Sequence, residues 1–480
     1  MHTAHRIGVA LLALVLATVG CARASAPGAE PTGGGNPEVV RSTGPVEPAR
    51  RPNIVLIITD DQRWDTLWAM PTVRSQLADR GITFSNGYVS NPLCCPSRAS
   101  ILTGQYSHTN GVYTNRGQSP LGGFNAFDDR STVATWLDGA GYQTGLFGKY
   151  LNGYAGSYKP PGWDRWFATY RNGGFYDYLA ADDFVMKTFG SDRGDYGTTV
   201  LAQNAVRFIE STPAESPLFM YFAPHAPREP ATPAPGDRNA FADLPKWRPP
   251  SYDEVDVSDK PEYMQRRVRL DAASRAEIDH FRRSQYRSLL AVDRAVGELV
   301  DALERTDRLE DTLLVFMADN GMSWGEHRWQ GKLVPYEESI RVPFVVRYDA
   351  VIRSPRTEDR LVLNIDLAPM FADLAGIPAP RVEGASLVPI LADAGGTWRT
   401  DFLIEHLEKS NSGVPTYCGV HTERHVFVRY ASGEEELYDL ERDPAELVNV
   451  AADDRYAEIR REMFGRLRQL CDPAPPGLSL

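Results

Sequence analysis

Positive charge is what this sequence has too little of. Lys and Arg number 51 against 63 Asp and Glu, leaving a formal net charge of -12. A nucleic-acid binder needs a basic face, so that class is excluded. An anionic substrate is not excluded, because a few local cations and a metal can outweigh distant surface charge. The apolar run Ile7 to Val19 is too short for a typical membrane span. No internal repeat or low-complexity stretch is present beyond residue 50. Cysteine is sparse, with five in 480 residues, so each can be considered by itself.

The apolar run follows His2, His5 and Arg6 and leads into Thr18-Val19-Gly20-Cys21. This reads as an export signal ending in a lipobox-like sequence. Cys21 is then a lipid anchor in the cell envelope, or the chain is freely secreted. Ala22 to Arg50 is rich in Ala, Gly, Pro and Glu, as expected of a disordered tether. The expected organisation is therefore a signal over 1–21, a tether over 22–50, a main domain over 51–395 and a smaller C-terminal one over 396–480. Export permits a disulfide between Cys418 and Cys471. Cys95 reads as a small buried residue.

The most informative stretch is Asn91 to Gly104, which contains Cys94-Cys95-Pro96-Ser97-Arg98. Pro suits the first turn of a helix, where its missing N–H is not needed. Cys94 then sits at a helix N-terminus, where backbone N–H groups favour an anion. Arg98, one turn on, adds a bidentate partner for an oxyanion. A lone Cys-Cys pair would be read as buried packing; the neighbouring segments change that.

Asn53 to Thr59 is a continuous apolar, β-branched run, expected of a strand buried on both faces, and it ends in Asp60-Asp61. Thr312 to Ala318 repeats the pattern and ends in Asp319-Asn320. Sites in open α/β sheets form outside the carboxyl ends of strands, so the four side chains can converge there on one ion. Oxygen donors without His point to Ca²⁺, or alternatively Mg²⁺, rather than Zn²⁺. Two further strands, Tyr142 to Phe147 and Pro217 to Ala223, lead into Lys149 and His225. Phe281 to Arg305 is an amphipathic helix, with Leu289, Val292, Val296, Leu299 and Leu303 on its core face. Arg228 to Arg269, Pro-rich and charged with Trp247 and Tyr252, is a candidate substrate wall. Near the C-terminus, Phe402 to His406 and the hairpin Val426–Tyr430 and Glu436–Leu440 read as strands, and Arg455 to Cys471 as a terminal helix.

C-x-P-S-R followed by A-S-I-L-T-G resembles the signature of the type I, formylglycine-dependent sulfatases. The doubled Cys and RASILTG are most similar to the N-acetylglucosamine-6-sulfatase branch. Further blocks look alike in order: Gly148-Lys149-Tyr150-Leu151-Asn152, the segment from His327 through Lys332 to Phe344, and ELYDLERDPAEL over 436–447. The resemblance implies an α/β, alkaline-phosphatase-like fold, a mixed sheet sandwiched by helices with a smaller C-terminal sheet-plus-helix subdomain. It implies that a maturation enzyme oxidises Cys94 to Cα-formylglycine. Asp60, Asp61, Asp319 and Asn320 would hold Ca²⁺ or Mg²⁺ together with residue 94. Arg98, Lys149 and Lys332 would stabilise charge on sulfate, His225 would protonate the leaving alcohol, and His327 would contact sulfate. Glu337 and Glu338 read as structural or surface residues. Many members carry a His two residues after the Lys; here Leu151 stands there, and Asn152 is left to orient a water.

The implied activity is removal of sulfate from sulfated sugars, 6-O-sulfated N-acetylglucosamine of glycosaminoglycans among them, with aryl sulfates as surrogates. The alternatives are a phosphoester or phosphonate hydrolase of the same superfamily, and an envelope glycan-binding protein that has lost catalysis.

Overall fold

The computed structural model describes residues 51–116, 120–156, 158–170, 173–408 and 412–480. The expected signal, Cys21 and the tether lie outside them. Strand Asn53–Thr59 is buried at every position because it lies in the middle of a ten-stranded sheet. It pairs in parallel with Thr312–Ala318 on one side and Leu218–Ala223 on the other. Leu218–Ala223 pairs in parallel with Gln143–Gly148, which pairs in parallel with Arg165–Thr169. The outer strands include antiparallel pairings, such as Phe344–Arg347 on Thr312–Ala318 and Tyr178–Asp182 on Arg165–Thr169, so the sheet is mixed.

The period of two along a strand divides the apolar side chains between two layers. Ile54, Leu56 and Ile58 join one core with Leu102, Leu137 and Phe371, from helices Cys94–Thr103, Val133–Gly139 and Leu367–Leu374. Val55 and Ile57 join the other with Leu201, Leu289 and Val296, from helices Gly197–Ser211 and Ala272–Arg305. The latter helix starts nine residues before the expected Phe281. Asp271 caps it by accepting from Ser274 N–H at 2.7 Å, and the extra turns are mostly exposed, with Ile278 alone joining a core, so apolar periodicity could not reveal them.

Strands Asp401–His406, Tyr417–Thr422, His425–Tyr430 and Glu435–Asp439 form a separate antiparallel sheet, against which helix Ala457–Leu470 packs. Cys418, on the second of these strands, is bridged to Cys471 just beyond the helix.

The register decides where chemistry can occur. Thr59 stands opposite Ala318, and Gly148 opposite Ala223. Asp60, Lys149 and Asp319 therefore leave the sheet at one edge, with Pro224-His225 beside them. Gly148 must be glycine: its φ is 118°, and a Cβ there would lie 2.1 Å from the Ala223 carbonyl oxygen.

Candidate active site

Helix Cys94–Thr103 is buried along its whole length and aims its first residue at this edge. Asn115 Oδ1 accepts from Cys95 N–H at 2.8 Å, satisfying one of the open donors of the first turn. Gly104, at φ 69°, ends the helix. Cys94 Sγ lies 3.5 Å from Asp60 Oδ1 and 3.7 Å from Asp61 Oδ1. Ligand atoms of Asp60, Asp61, Cys94 and Asp319 all lie within 4.8 Å of one another. Asp61 takes a left-handed φ of 64°, and its N–H donates to Asp319 Oδ1 at 3.1 Å. Asn320 Nδ2 donates to Asp61 Oδ1 at 2.8 Å.

Cations interleave with these acids. Lys149 Nζ donates to Asp60 Oδ2 at 2.7 Å, and Arg98 Nε to Asp319 Oδ2 at 2.8 Å. Lys332 Nζ contacts Asp61 Oδ1, and lies 2.7 Å from Cys94 Sγ and 3.4 Å from Asn320 Oδ1. Arg228 Nε lies 3.7 Å from Asp61 Oδ2. Three carboxylates thus face four cationic side chains, and the surplus is positive in a chain whose net charge is -12. Burial by itself would raise the Asp60 carboxyl, yet Lys149, Arg228, Arg98 and Lys332 together hold it well below the ordinary range. Burial pushes the Cys94 thiol up to about 11, against the pull of Lys149 and Lys332.

His225 Nδ1 lies 3.7 Å from Asp60 Oδ2, and its ring packs edge-on against Phe175. Burial lowers it to about 4; Asp60 opposes the shift, and Arg228, Lys149 and Arg98 add to it. The imidazole is therefore neutral near neutral pH. Two buried nitrogens, Arg98 Nη2 and His225 Nδ1, have no hydrogen-bond partner among the described residues. Unsatisfied donors at a positive, buried edge are suited to an anionic oxygen.

The oxygen donors expected to hold a hard cation do converge, and the Lys332 ammonium already presents positive charge to Asp61, Cys94 and Asn320. The donor chemistry fits Ca²⁺ or Mg²⁺. Asn152 is buried beside Cys95, whose thiol its backbone hydrogen-bonds. Leu151 packs into the apolar core. His327 belongs to a different cluster: Nδ1 lies 2.7 Å from Glu254 Oε2, and the ring lies 4.3 Å from that of Tyr336, centroid to centroid. Arg228 was not singled out from the sequence. It stands three residues after His225 in the Pro-rich stretch, where a cation reads as solvated surface. Trp247, from the expected substrate wall, lines a cavity of about 530 Å³ together with Arg63, Trp68, Arg282 and Tyr286.

The family model described as Sulfatase matches residues 52–377, and the one described as N-sulphoglucosamine sulphohydrolase, C-terminal, matches 325–472. The chain is 33% identical over 368 residues to the extracellular sulfatase SULF-1 homolog of Drosophila melanogaster; the match covers 74% of the chain and about a third, 33%, of that relative's length. It is 34% identical over 386 residues to human N-acetylglucosamine-6-sulfatase, covering 77% of the chain and 70% of the relative. Among solved structures, one bound to its substrate D-glucosamine-2-N,6-O-disulfate superposes with a TM-score of 0.79 at 25% identity, over 90% of this chain and 100% of that one. Its alkaline-phosphatase-like architecture is the one the resemblance implied. A buried cysteine among acids and cations at the sheet edge is what such a fold would position, and by the extent of these matches the chain belongs to the sulfatase family.

Proposed function

We propose that the protein is an exported sulfuric ester hydrolase that removes sulfate from sulfated sugars, with 6-O-sulfated glucosamine as the preferred class. The observation that carries this reading is the positive surplus around buried Cys94, with Arg98 Nη2 and His225 Nδ1 still lacking partners. Likeness to proteins named N-acetylglucosamine-6-sulfatase supports the sugar and the position of its sulfate. Likeness to proteins named extracellular sulfatases supports export, with Cys21 as a lipid anchor or with free secretion.

Residue 94 is read as matured by a separate enzyme to formylglycine, whose hydrate supplies two hydroxyls on one carbon, one to attack sulfur and one to drive release of sulfate. Asp60, Asp61, Asp319 and Asn320 would hold Ca²⁺, or Mg²⁺ in its place, which supplies positive charge to the sulfate oxygens and to the attacking hydroxyl. Arg98, Lys149, Lys332 and Arg228 bind the sulfate and offset charge that spreads over its oxygens as the ester bond breaks. His225 would carry the proton for the leaving alcohol, since an incoming anion offsets the burial and the nearby cations that keep its ring neutral. Leu151, two residues after Lys149, packs into the core, and Asn152 beside it is read as orienting a water.

The test is a desulfation screen of defined sulfated sugars, using protein shown by peptide mass analysis to carry the aldehyde at residue 94. Release of sulfate from 6-O-sulfated N-acetylglucosamine is expected. Turnover of phosphate or phosphonate esters in place of sulfates would assign a phosphoester hydrolase. Glycan binding with an unmodified thiol and no turnover would assign a binding protein.

A further inference from the structure

A second buried cluster lies outside the Cys94 site. One ring nitrogen of His327 and one carboxylate oxygen each of Glu338 and Glu446 lie within 4.8 Å of one another. His327 is 1% exposed and Glu446 2% exposed. His327 Nε2, Glu338 Oε2 and Glu446 Oε1 all lack a hydrogen-bond partner. Each such buried group costs free energy unless something not yet bound satisfies it.

The surroundings make the deficit one of positive charge. Glu254, Glu326, Glu337, Glu338 and Glu446 crowd the region. Arg63 is committed to Asp65 and Glu326, and Arg341 to Glu337. Lys260 donates to Tyr438 Oη at 3.0 Å and to the Glu446 carbonyl, and lies 4.0 Å from Glu254. Burial, with Glu326 beside it, pushes Glu338 up to about 8, and burial with Glu337 raises Glu446 as well. The histidine is also oriented. Glu254 engages Nδ1, and with that carboxylate ionised the ring proton is assigned to Nδ1, which leaves a lone pair on Nε2. A carboxylate bonded to one ring nitrogen, with the other left without a hydrogen-bond partner, is the arrangement by which proteins prepare an imidazole for a metal.

We propose that His327, Glu338 and Glu446 bind a second divalent cation, Zn²⁺ in preference to Ca²⁺. An imidazole and two carboxylates suit a borderline first-row ion, whereas the all-oxygen set at Asp60, Asp61, Asp319 and Asn320 suits a hard one. The ion ties three parts of the chain together. His327 starts the turn that carries Lys332 to the active site, Glu338 follows that turn, and Glu446 comes from beyond the C-terminal sheet. The turn has left-handed φ values at His327 (50°), Arg328 (59°) and Leu333 (85°), so holding it in place takes tertiary contacts. Binding releases whatever protons Glu338 and Glu446 carry.

The experiment is metal analysis of purified full chain equilibrated with Zn²⁺ under excess Ca²⁺ and then desalted. About one equivalent of Zn²⁺ is expected to remain on the wild type and on Asp319→Ala, which removes only an active-site donor. Glu446→Gln and Glu338→Gln, nearly isosteric with the originals, should lose it while keeping their circular dichroism. Glu254→Gln should keep the three ligands but weaken Zn²⁺ binding about 10–100-fold. Absence of Zn²⁺ from the wild type would overturn the proposal and leave a cluster that shares protons. Zn²⁺ that stays on Glu446→Gln and Glu338→Gln but leaves with Asp319→Ala would overturn it equally, by placing the ion at the active site.

Discussion

The Cys94 cluster and the His327 cluster are both buried groups of acids, and they are balanced in opposite directions. Around Cys94, three carboxylates face Arg98, Lys149, Arg228 and Lys332, and the unpartnered atoms Arg98 Nη2 and His225 Nδ1 lie in that positive surround. Around His327, unpartnered carboxylate oxygens remain on Glu338 and Glu446, and the nearby cations are already engaged. Burial magnifies any imbalance, because a charge removed from water must find its counter-charge inside the protein. The first cluster is thus short of an anion and the second short of a cation.

The largest effect expected is at residue 94. Cys94→Ala should abolish sulfate release with the fold retained, whereas Cys95→Ala, whose parent thiol is turned into the core, should keep substantial activity. Steady-state assays with peptide mass analysis of the aldehyde check this, and an aldehyde at residue 95 would reverse the assignment. Next come the cations and His225. Lys149→Ala removes charge stabilisation and should lower kcat by about 10²–10³-fold on both a sulfated sugar and a nitrophenyl sulfate. His225→Ala should lose about 10²–10⁴-fold on the sugar, whose alkoxide needs a proton, and far less on the nitrophenyl ester. Equal losses on both substrates would reduce His225 to a sulfate contact.

A smaller effect, on stability alone, is expected where neither cluster is involved. Cys418→Ala with Cys471→Ala opens a loop of 53 residues. In the chain-entropy view that costs about 4 kcal/mol, measurable by denaturant unfolding, while kcat of the folded fraction is unchanged. The smallest effect concerns His108, a histidine that already has its counter-charges in Glu383 and Glu405. Burial by itself would lower it, but the hydrogen bonds to those two carboxylates raise it from 6.5 to about 10. Its stabilisation is therefore full below pH 6.5 and is lost as pH rises towards about 10. His108→Gln should flatten the fall in melting temperature over that window. An unchanged slope would mean that the pair is not charged.

Much of the architecture was legible from local patterns. The apolar runs ending in Asp60-Asp61 and Asp319-Asn320 are strands with the expected limits, and they lie side by side. Cys94 opens a helix as the position of Pro96 required. The mostly exposed start of the Ala272–Arg305 helix was not legible, since an N-cap and a single buried Ile278 make no apolar period. Arg228 was missed because in sequence a cation among prolines looks solvated, and only the path of the chain after His225 turns it toward Asp61. Glu338 was read as structural or surface; it is half-buried near Glu326 and lines the cavity beside Arg63.

The sequence by itself determined which chemistry was available: a cysteine at a helix start, acids at two strand ends, a lysine and a histidine at two more. Those signals are local, set by side-chain period, by the φ of proline and by the alternation of buried strands. Which charges meet was decided by tertiary structure. Parallel register aligned Thr59 with Ala318 and Gly148 with Ala223, and the short antiparallel turn between Trp324 and Gln330 returned Lys332 to Asp61 while leaving His327 with Glu254. Coulomb energies fall with distance and grow on burial. Neither quantity exists until the chain has folded.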